Sequence, residues 1–202
     1  MLSSIHPFGE RSRNNSFRFT VGAHILGSAL GGLALGAVAG LIGLVVTGVA
    51  SPSDTVRIGL VAAFSVAALV LEATSQERLL PTRTRQVNEN WIQSYRGWVY
   101  GGGWGAELGF GISTIISTTL VHLLVVAMVL IGSFWASLLL GLVFGTARGA
   151  SVLAARSVDS PERLRTFHHR LDAYRARSRT GAVAALGIAS LVGVIATTGA
   201  VL

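Results

Sequence analysis

The sequence contains no cysteine, no lysine and only four prolines. Without cysteine the chain can form no disulfide, no thiolate metal site and no dithiol electron carrier. All four prolines lie outside the long apolar runs, so a hinge within a run would have to use glycine. Only 12% of the residues are charged, whereas 51% are hydrophobic, and the mean hydropathy is +0.62. A soluble domain of 202 residues cannot bury this much apolar surface, which excludes a compact cytosolic enzyme.

The distribution of positive charge along the chain indicates membrane topology. All sixteen basic residues are arginine, and the net charge is +7. The arginines fall in short blocks between apolar runs, which is typical of loops in membrane proteins rather than of a nucleic-acid-binding patch. We therefore predict a lipid bilayer around this chain and expect no nucleic-acid partner.

Five apolar runs are long enough to cross a bilayer as helices, at about 20 residues per span. They cover residues 21–50, 55–74, 101–131, 134–155 and 181–202. Arginines occur in the leader 1–20 and in the two long loops, whereas the connections 51–54 and 132–133 have none. Short arginine-rich segments stay on the cytoplasmic side. The sequence thus predicts an all-α, multipass plasma-membrane bundle over residues 21–202, with a cytoplasmic leader, the N-terminus inside and the C-terminus outside.

Two inner segments have an amphipathic helical pattern. Residues 87–99 place three aromatic side chains on one face, namely Trp91, Tyr95 and Trp98. Residues 161–178 follow Ser160, a good N-cap, and combine apolar residues at helical spacing with arginines that include Arg163 and Arg170. We expect both segments to lie at the membrane interface against anionic inner-leaflet lipids. The alternative is that either segment forms a dedicated partner site.

Glycine recurs every four residues in three of the predicted spans. The repeats are Gly32, Gly36 and Gly40 in the first span, Gly101, Gly105 and Gly109 in the third, and Gly141, Gly145 and Gly149 in the fourth. A ridge of this kind lets another backbone approach closely. It predicts tight helix packing, either within the chain or between the subunits of a homo-oligomer.

The third predicted span carries the strongest functional candidate. On a continuous helix its polar residues would share one face, because their spacing is three or four: Glu107, Gly111, Thr114, Thr118 and His122. Ionisable groups inside a span usually face the bundle interior or a wet cavity. The pattern therefore predicts a transport path or a binding cleft along this face.

Two charge pairs are expected near the inner surface. Arg148, inside the fourth span, is predicted to pair with Glu107 because an unpaired guanidinium in lipid is costly. The alternative is that Arg148 extends to lipid phosphate while Glu107 lies in the aqueous interface. Likewise, His24 and Glu72 either meet at the inner end of the first two spans or act separately as interface residues.

Motifs of known reactions are absent from the sequence. There is no G-x-S-x-G, H-E-x-x-H, P-loop or paired-carboxylate arrangement, so intramembrane proteolysis and nucleotide-driven work lack their parts. His168 and His169 are adjacent and do not have metal-ligand spacing. His24 and His122 are predicted at different depths and do not form a haem site. We expect no metal, no cofactor and no enzymatic activity.

Two stretches resemble a known group of membrane proteins. They are WVYGGGWGAELGFGISTIISTT, at residues 98–119, and GLVFGTARG, at residues 141–149. Both resemble the glycine-rich helices of small bacterial proteins of the cytochrome c biogenesis (DsbD/CcdA-like) transmembrane group. The resemblance implies a helical membrane fold. That group passes electrons through cysteines on two helices and typically has six spans, so its reaction does not carry over to a cysteine-free chain with five predicted spans.

The sequence favours one function and leaves a second open. The first is a small permease-like protein that moves an ion or small polar solute along Thr114, Thr118 and His122, with Glu107 and Arg148 gating the inner mouth. A chain of this size would function as a dimer or a larger assembly. The second is a non-catalytic membrane subunit or scaffold of a larger complex, which would depend on the glycine ridges instead.

Overall fold

A computed structural model describes residues 4–76, 79, 90–111 and 118–199, and every α- or β-type element in these ranges is a helix. The all-α fold class is thereby confirmed for the described part of the chain. The helices are α1 (Pro7–Ser12), α2 (Phe17–Ala50), α3 (Asp54–Ala73), α4 (Trp91–Ser94), α5 (Gly97–Phe110), α6 (Leu120–Leu130), α7 (Phe134–Ala150) and α8 (Pro161–Gly199), with a 3-10 turn at Ser151–Ala155.

Four helical stretches have the length and hydropathy needed to cross a membrane. They are Phe17–Ala50, Asp54–Ala73, Phe134–Ala155 and Pro161–Thr198. Helix α6 is equally apolar but has 11 residues. At 1.5 Å per residue this is about 17 Å, well short of a hydrocarbon core of about 30 Å. The described residues therefore provide four helices of membrane length, whereas the sequence predicts five spans.

The helix predicted over residues 101–131 is interrupted in the structure. Helix α5 ends at Phe110, and Gly111 follows with φ +72°, a left-handed conformation that glycine adopts without steric cost. Helix α6 begins at Leu120. The periodicity argument assumed a continuous helix and is wrong at this position, because spacing cannot reveal where the backbone leaves the helical conformation.

The last predicted span and the amphipathic segment before it form one helix. Residues 161–178 and 181–199 are both part of α8, which begins at Pro161 as its N-cap signal predicts. The Ser160 hydroxyl accepts a hydrogen bond from the Arg163 backbone N–H at 3.3 Å. No proline interrupts the helix after its first position, so the backbone continues through the predicted boundary.

The chain divides into two compact units. Unit 1 contains Met1–Leu35, Arg83–Ile115 and Leu138–Tyr174, and unit 2 contains Gly36–Thr82, Ile116–Ser137 and Arg175–Leu202. In unit 1 the buried core consists of Ile5, Val21, Tyr100, Trp104 and Val152. The predicted leader is therefore partly packed, because Ile5 belongs to this core and Gly9 and Glu10 of α1 are buried.

Glycine sets the distance between α2 and α5 in unit 1. A Cβ added at Gly27 or Gly31 of α2 would overlap a carbonyl oxygen of α5. A Cβ added at Gly105 or Gly109 of α5 would overlap the carbonyl oxygen of His24 or Ser28 of α2. The two backbones touch along their length, and any side chain at these positions would force them apart.

Helix α7 approaches α2 in the same way. A Cβ at Gly32 would overlap the Gly141 oxygen, and a Cβ at Gly145 would overlap the oxygen of Ser28, whose hydroxyl donates to the Gly145 oxygen at 2.7 Å. Gly101 and Gly149 are also in contact with α2. These ridge glycines thus serve packing inside one chain, which is one of the two roles predicted for them.

Unit 2 packs α3 against α6 and the C-terminal part of α8. Its core residues are Ala68, Leu123 and Leu186. The Ser137 hydroxyl donates to the Met128 oxygen at 2.7 Å, which fixes the tight turn between α6 and α7. In this unit the predicted ridge residue Gly40 lies against Phe134 and Ser137, and Gly36 is buried.

Candidate functional site

A buried glutamate lies where α3 ends and α6 begins, within unit 2. The Glu72 side chain is 3% exposed. Its Oε2 accepts hydrogen bonds at 2.8 Å from both the backbone N–H and the hydroxyl of Thr119. The Thr118 hydroxyl donates to the same oxygen at 3.4 Å. Two adjacent threonines thus hold one carboxylate at the N-terminus of α6.

The Glu72 carboxylate lies in the last turn of α3, a helix of membrane length. Helix α3 has 20 residues, which gives a length of about 30 Å, and Glu72 is its penultimate residue. Helical side chains lean toward the N-terminus, so the carboxylate is displaced into the span from the end of α3. The Arg179 guanidinium marks the end itself, because it donates to the Glu72 backbone oxygen at 3.0 Å and to the Ser75 hydroxyl.

The hydrogen bonds to the Glu72 carboxylate come from neutral donors, while the Arg179 guanidinium binds the Glu72 backbone oxygen. Among the residues that the structure describes, its carboxylate forms no ion pair. The first N–H groups of α6 and their dipole favour a negative charge at this position. An ionisable group placed in a span without a countercharge is costly, and such groups usually mark functional sites.

The position of Glu72 at this site differs from the two positions expected from the sequence. The sequence predicts Glu72 either at the interface or in a pair with His24, but the two residues have other partners. The His24 Nδ1 atom is 3.2 Å from the Gly101 oxygen, and Glu72 binds the start of α6. Two features of the sequence could have indicated this site. One is a glutamate in the last turn of a predicted span, and the other is a Thr-Thr pair in the span that the structure interrupts.

The residues of the predicted polar stripe do not share one helix. Glu107 is half-buried on α5 in unit 1, whereas Thr118 precedes α6 and His122 is half-buried on α6 in unit 2. Thr114 lies outside the described residues. These residues could share a face only on a continuous helix, but α5 ends at Phe110. The structure thus joins Thr118 to Glu72 rather than to a stripe along α5.

Arg148 is placed near the start of this interruption, in unit 1. Its guanidinium lies over the Phe144 ring, 5.3 Å from the centroid. The predicted pair with Glu107 is not among the ion pairs of the described residues, which are Arg13–Glu10, Arg57–Asp54 and Arg163–Asp159. Its Nη1 atom is buried without a hydrogen-bond partner in the described part of the chain.

A second buried glutamate lies in unit 1. Glu10 is fully buried, and its Oε1 accepts hydrogen bonds from the Tyr100 hydroxyl at 2.5 Å and from Arg13 Nη2 at 2.6 Å. Its Oε2 accepts a hydrogen bond from the Thr20 hydroxyl at 2.8 Å. This carboxylate connects α1, α2 and α5, and Arg13 neutralises its charge.

Burial also changes the titration of two neighbouring groups. It raises the pKa of Tyr100 to about 12, and the hydrogen bond to Glu10 adds to this shift, so the phenol keeps its proton and remains a donor. Burial lowers the pKa of His6, and the positive charge of Arg13 lowers it further. His6 is the N-cap of α1, where its Nδ1 accepts a hydrogen bond from the Gly9 N–H at 3.1 Å.

The predicted interface residues are exposed to different extents. Tyr95 is 52% exposed and Trp98 is 61% exposed, while Trp91 is half-buried with its ring edge-on to Tyr95. Arg163 pairs with Asp159 at 2.8 Å, and Arg170 is exposed. Their contact with lipid stays a prediction.

Fold and composition together define a helical protein of membrane type, with four apolar helices of membrane length. The chain is similar to the methylamine utilization protein MauF of Paracoccus versutus, with 32% identity over 148 residues. The match covers 73% of this chain and 54% of that protein, so the chain spans about half the length of this curated relative. No family model matches the sequence. No solved structure gives a significant match.

Proposed function

We propose that the chain is a small permease-like plasma-membrane protein that moves an ion or a small polar solute. Its polar centre is Glu72 together with Thr118 and Thr119. The observation that carries this proposal is a buried carboxylate in the last turn of a helix of membrane length, which accepts hydrogen bonds from neutral donors at the N-terminus of a short helix. Transporters typically bind their solutes at such interrupted helices.

The carboxylate favours a cationic solute or a proton. A cation that reaches Glu72 competes with the Thr119 N–H and hydroxyl for the same carboxylate oxygen. Binding would therefore loosen the start of α6 from the end of α3, and release would restore the contact. This exchange gives the site two arrangements, which alternating access requires.

The remaining features complete the proposed permease. The chain has its N-terminus inside and its C-terminus outside, works as a homo-oligomer and performs no enzymatic reaction. Of the residues that the sequence predicts along a path, Thr118 and His122 lie in the same unit as Glu72. The inner surface faces anionic lipids.

The test is flux into proteoliposomes under an imposed membrane potential. The probes are protons, sodium and methylammonium, the last because the relative MauF is named for methylamine utilization. Glu72→Gln should lower flux of the transported probe by more than about tenfold, since the anionic partner is lost, while Glu72→Asp should retain part of it. Glu162→Gln is the matched control because Glu162 is fully exposed. Equal flux in Glu72→Gln and native protein, both folded, would contradict the proposal.

A non-catalytic subunit or scaffold is the second candidate. The arrangement of the first half of α8 favours it. There Arg165 and Arg170 are exposed, while Leu164, Phe167 and Leu171 are half-buried. A basic helix face of this kind could dock an acidic surface of a partner.

The scaffold proposal is tested by charge reversal on α8. Arg165→Glu with Arg170→Glu should shift the chain to a smaller species on native gels of solubilised membranes, while Glu72→Gln should not. Substitution of Gly105 or Gly145 cannot make this distinction, because both glycines contact the backbone of α2 within the chain. An unchanged complex in the charge-reversed variant would reject the scaffold function.

A further inference from the structure

A cavity of about 430 Å³ lies in unit 1, at the N-terminal ends of α2 and α5. Five polar residues line it: Arg13, Asn15, Gln93, Ser94 and Arg96. Ile92 and Tyr95 complete its wall. The volume falls within the range of about 300 to 1,000 Å³ that is typical of small-ligand sites.

Arg96 adds a positive charge to the cavity that no described lining residue compensates. The Arg13 guanidinium is neutralised by Glu10, at 2.6 Å. Arg96 forms no ion pair with any residue that the structure describes. No acidic side chain is among the described residues that line the cavity. The net charge of the lining is therefore positive, even after the Glu10 pair is counted.

Hydrogen-bond donors in the cavity are also left over. The Nε atom of Arg13 is buried and has no hydrogen-bond partner in the described part of the chain. The amide oxygen of Asn15 is occupied by the Gly97 N–H at 3.3 Å, which leaves the amide NH₂ group as a donor. An amide donor beside a guanidinium that has no ion pair among the described residues is an arrangement that an anion would satisfy.

The position of the cavity indicates which anion could reach it. Tyr95 belongs to its wall, and Trp98, at the start of α5, has 61% of its surface exposed. Aromatic residues of this kind are enriched at the level of lipid headgroups. The cavity thus lies beside the surface on which headgroup phosphates are expected.

We infer that this cavity binds a phosphate ester anion, with Arg96 as the principal cationic ligand and the Asn15 amide as a second donor. The source is the headgroup of an anionic phospholipid, or a soluble phosphate ester of the same chemistry. The inference does not depend on transport, because the cavity and Glu72 belong to different units.

The experiment is native mass spectrometry of the detergent-solubilised full chain. It is titrated with phosphatidylglycerol, with phosphatidylcholine and with glycerol 3-phosphate. The native protein should bind phosphatidylglycerol more tightly than phosphatidylcholine. Arg96→Gln should weaken this binding about fivefold, while Arg96→Lys should retain most of it, since the charge remains. Arg18→Gln is the matched control, because Arg18 is exposed near the same end of the chain and does not line the cavity.

The two sources are distinguished by competition. Glycerol 3-phosphate that displaces the lipid assigns the site to soluble phosphate esters, whereas lipid binding without displacement assigns it to the headgroup. An equal loss in Arg96→Gln and Arg18→Gln would show general surface attraction and overturn the inference. Equal affinity for the two lipids together with no binding of glycerol 3-phosphate would overturn it as well.

Discussion

Each unit of the chain buries one glutamate, and the two are held differently. In unit 1 Glu10 accepts hydrogen bonds from Arg13, Tyr100 and Thr20, so its negative charge is balanced by a guanidinium. In unit 2 Glu72 is held by threonines and a backbone N–H, all of them neutral. A balanced carboxylate cross-links helices, whereas an unbalanced one remains able to bind a cation. The difference separates a structural site from a candidate functional one.

The largest expected effect concerns the glycine contacts that hold unit 1 together. Gly109→Leu should cost about 3 kcal/mol or more, because its side chain would overlap the Ser28 carbonyl oxygen. Folded protein recovered by size-exclusion chromatography should fall sharply. Gly48→Leu is the control, since nothing lies within 4 Å of a Cβ added there. Equal recovery of the two variants would show that α2 and α5 do not depend on this contact.

The comparison of the two glutamates predicts a marked difference in stability. Glu10→Gln should cost about 2 kcal/mol, because Arg13 loses its countercharge while Tyr100 loses a charged acceptor. The expected fall in Tm is about 4 to 8 °C for a chain of this length. Asp159→Asn is the control: it breaks an exposed ion pair with Arg163 and should change stability by less than about 1 kcal/mol. If Glu10→Gln changed stability as little as Asp159→Asn, the structural role assigned to Glu10 would be wrong.

The same substitution in unit 2 should change stability much less. In Glu72→Gln the amide oxygen can still accept the Thr119 hydrogen bonds, and no ion pair is lost among the described residues. We expect a change within about 1 kcal/mol, measured by thermal denaturation in detergent. A loss as large as that of Glu10→Gln would assign Glu72 a structural role and weaken the transport proposal.

The smallest expected effect is a pH dependence confined to unit 1. The pKa of His6 is lowered from 6.5 by burial, so folding favours the neutral imidazole. Its contribution to stability is complete above about pH 6.5 and is lost as the pH falls below that value. The Tm of the native chain should therefore fall more between about pH 7.5 and pH 5.5 than that of His6→Asn, which keeps an N-cap acceptor without titrating. Parallel pH profiles of the two proteins would contradict this assignment.

The long helices could be predicted from the sequence because lipid exposure makes their signal strong. The predicted spans 21–50, 55–74 and 134–155 agree closely with Phe17–Ala50, Asp54–Ala73 and Phe134–Ala155. In lipid a segment must form all its backbone hydrogen bonds internally, so it is a long apolar helix. Composition and length alone therefore indicate such a segment. The glycine ridges were visible for the same reason, although their partners were not.

The sites were harder to predict because they depend on where a helix stops and on which segments meet. The polar residues from Glu107 to His122 have helical spacing in the sequence, but the helix that would align them ends at Phe110. Glu10 lay in a leader with no apolar run, so nothing in its local sequence indicated full burial. Its partners Thr20 and Tyr100 are separated from it by 10 and 90 positions.

Sequence alone determined that this chain is all-helical and of membrane type, with helix starts at residues such as Pro161. These properties follow from hydropathy, charge placement and capping chemistry, which act locally along the chain. Only the tertiary structure decided that Glu72 meets Thr119 and that Glu10 meets Tyr100. Such contacts join residues far apart in sequence through backbone breaks and close helix approach, and no local pattern specifies them. The physical reason is that a charge can be buried only where donors form hydrogen bonds to it. Those donors come together only when the helices pack.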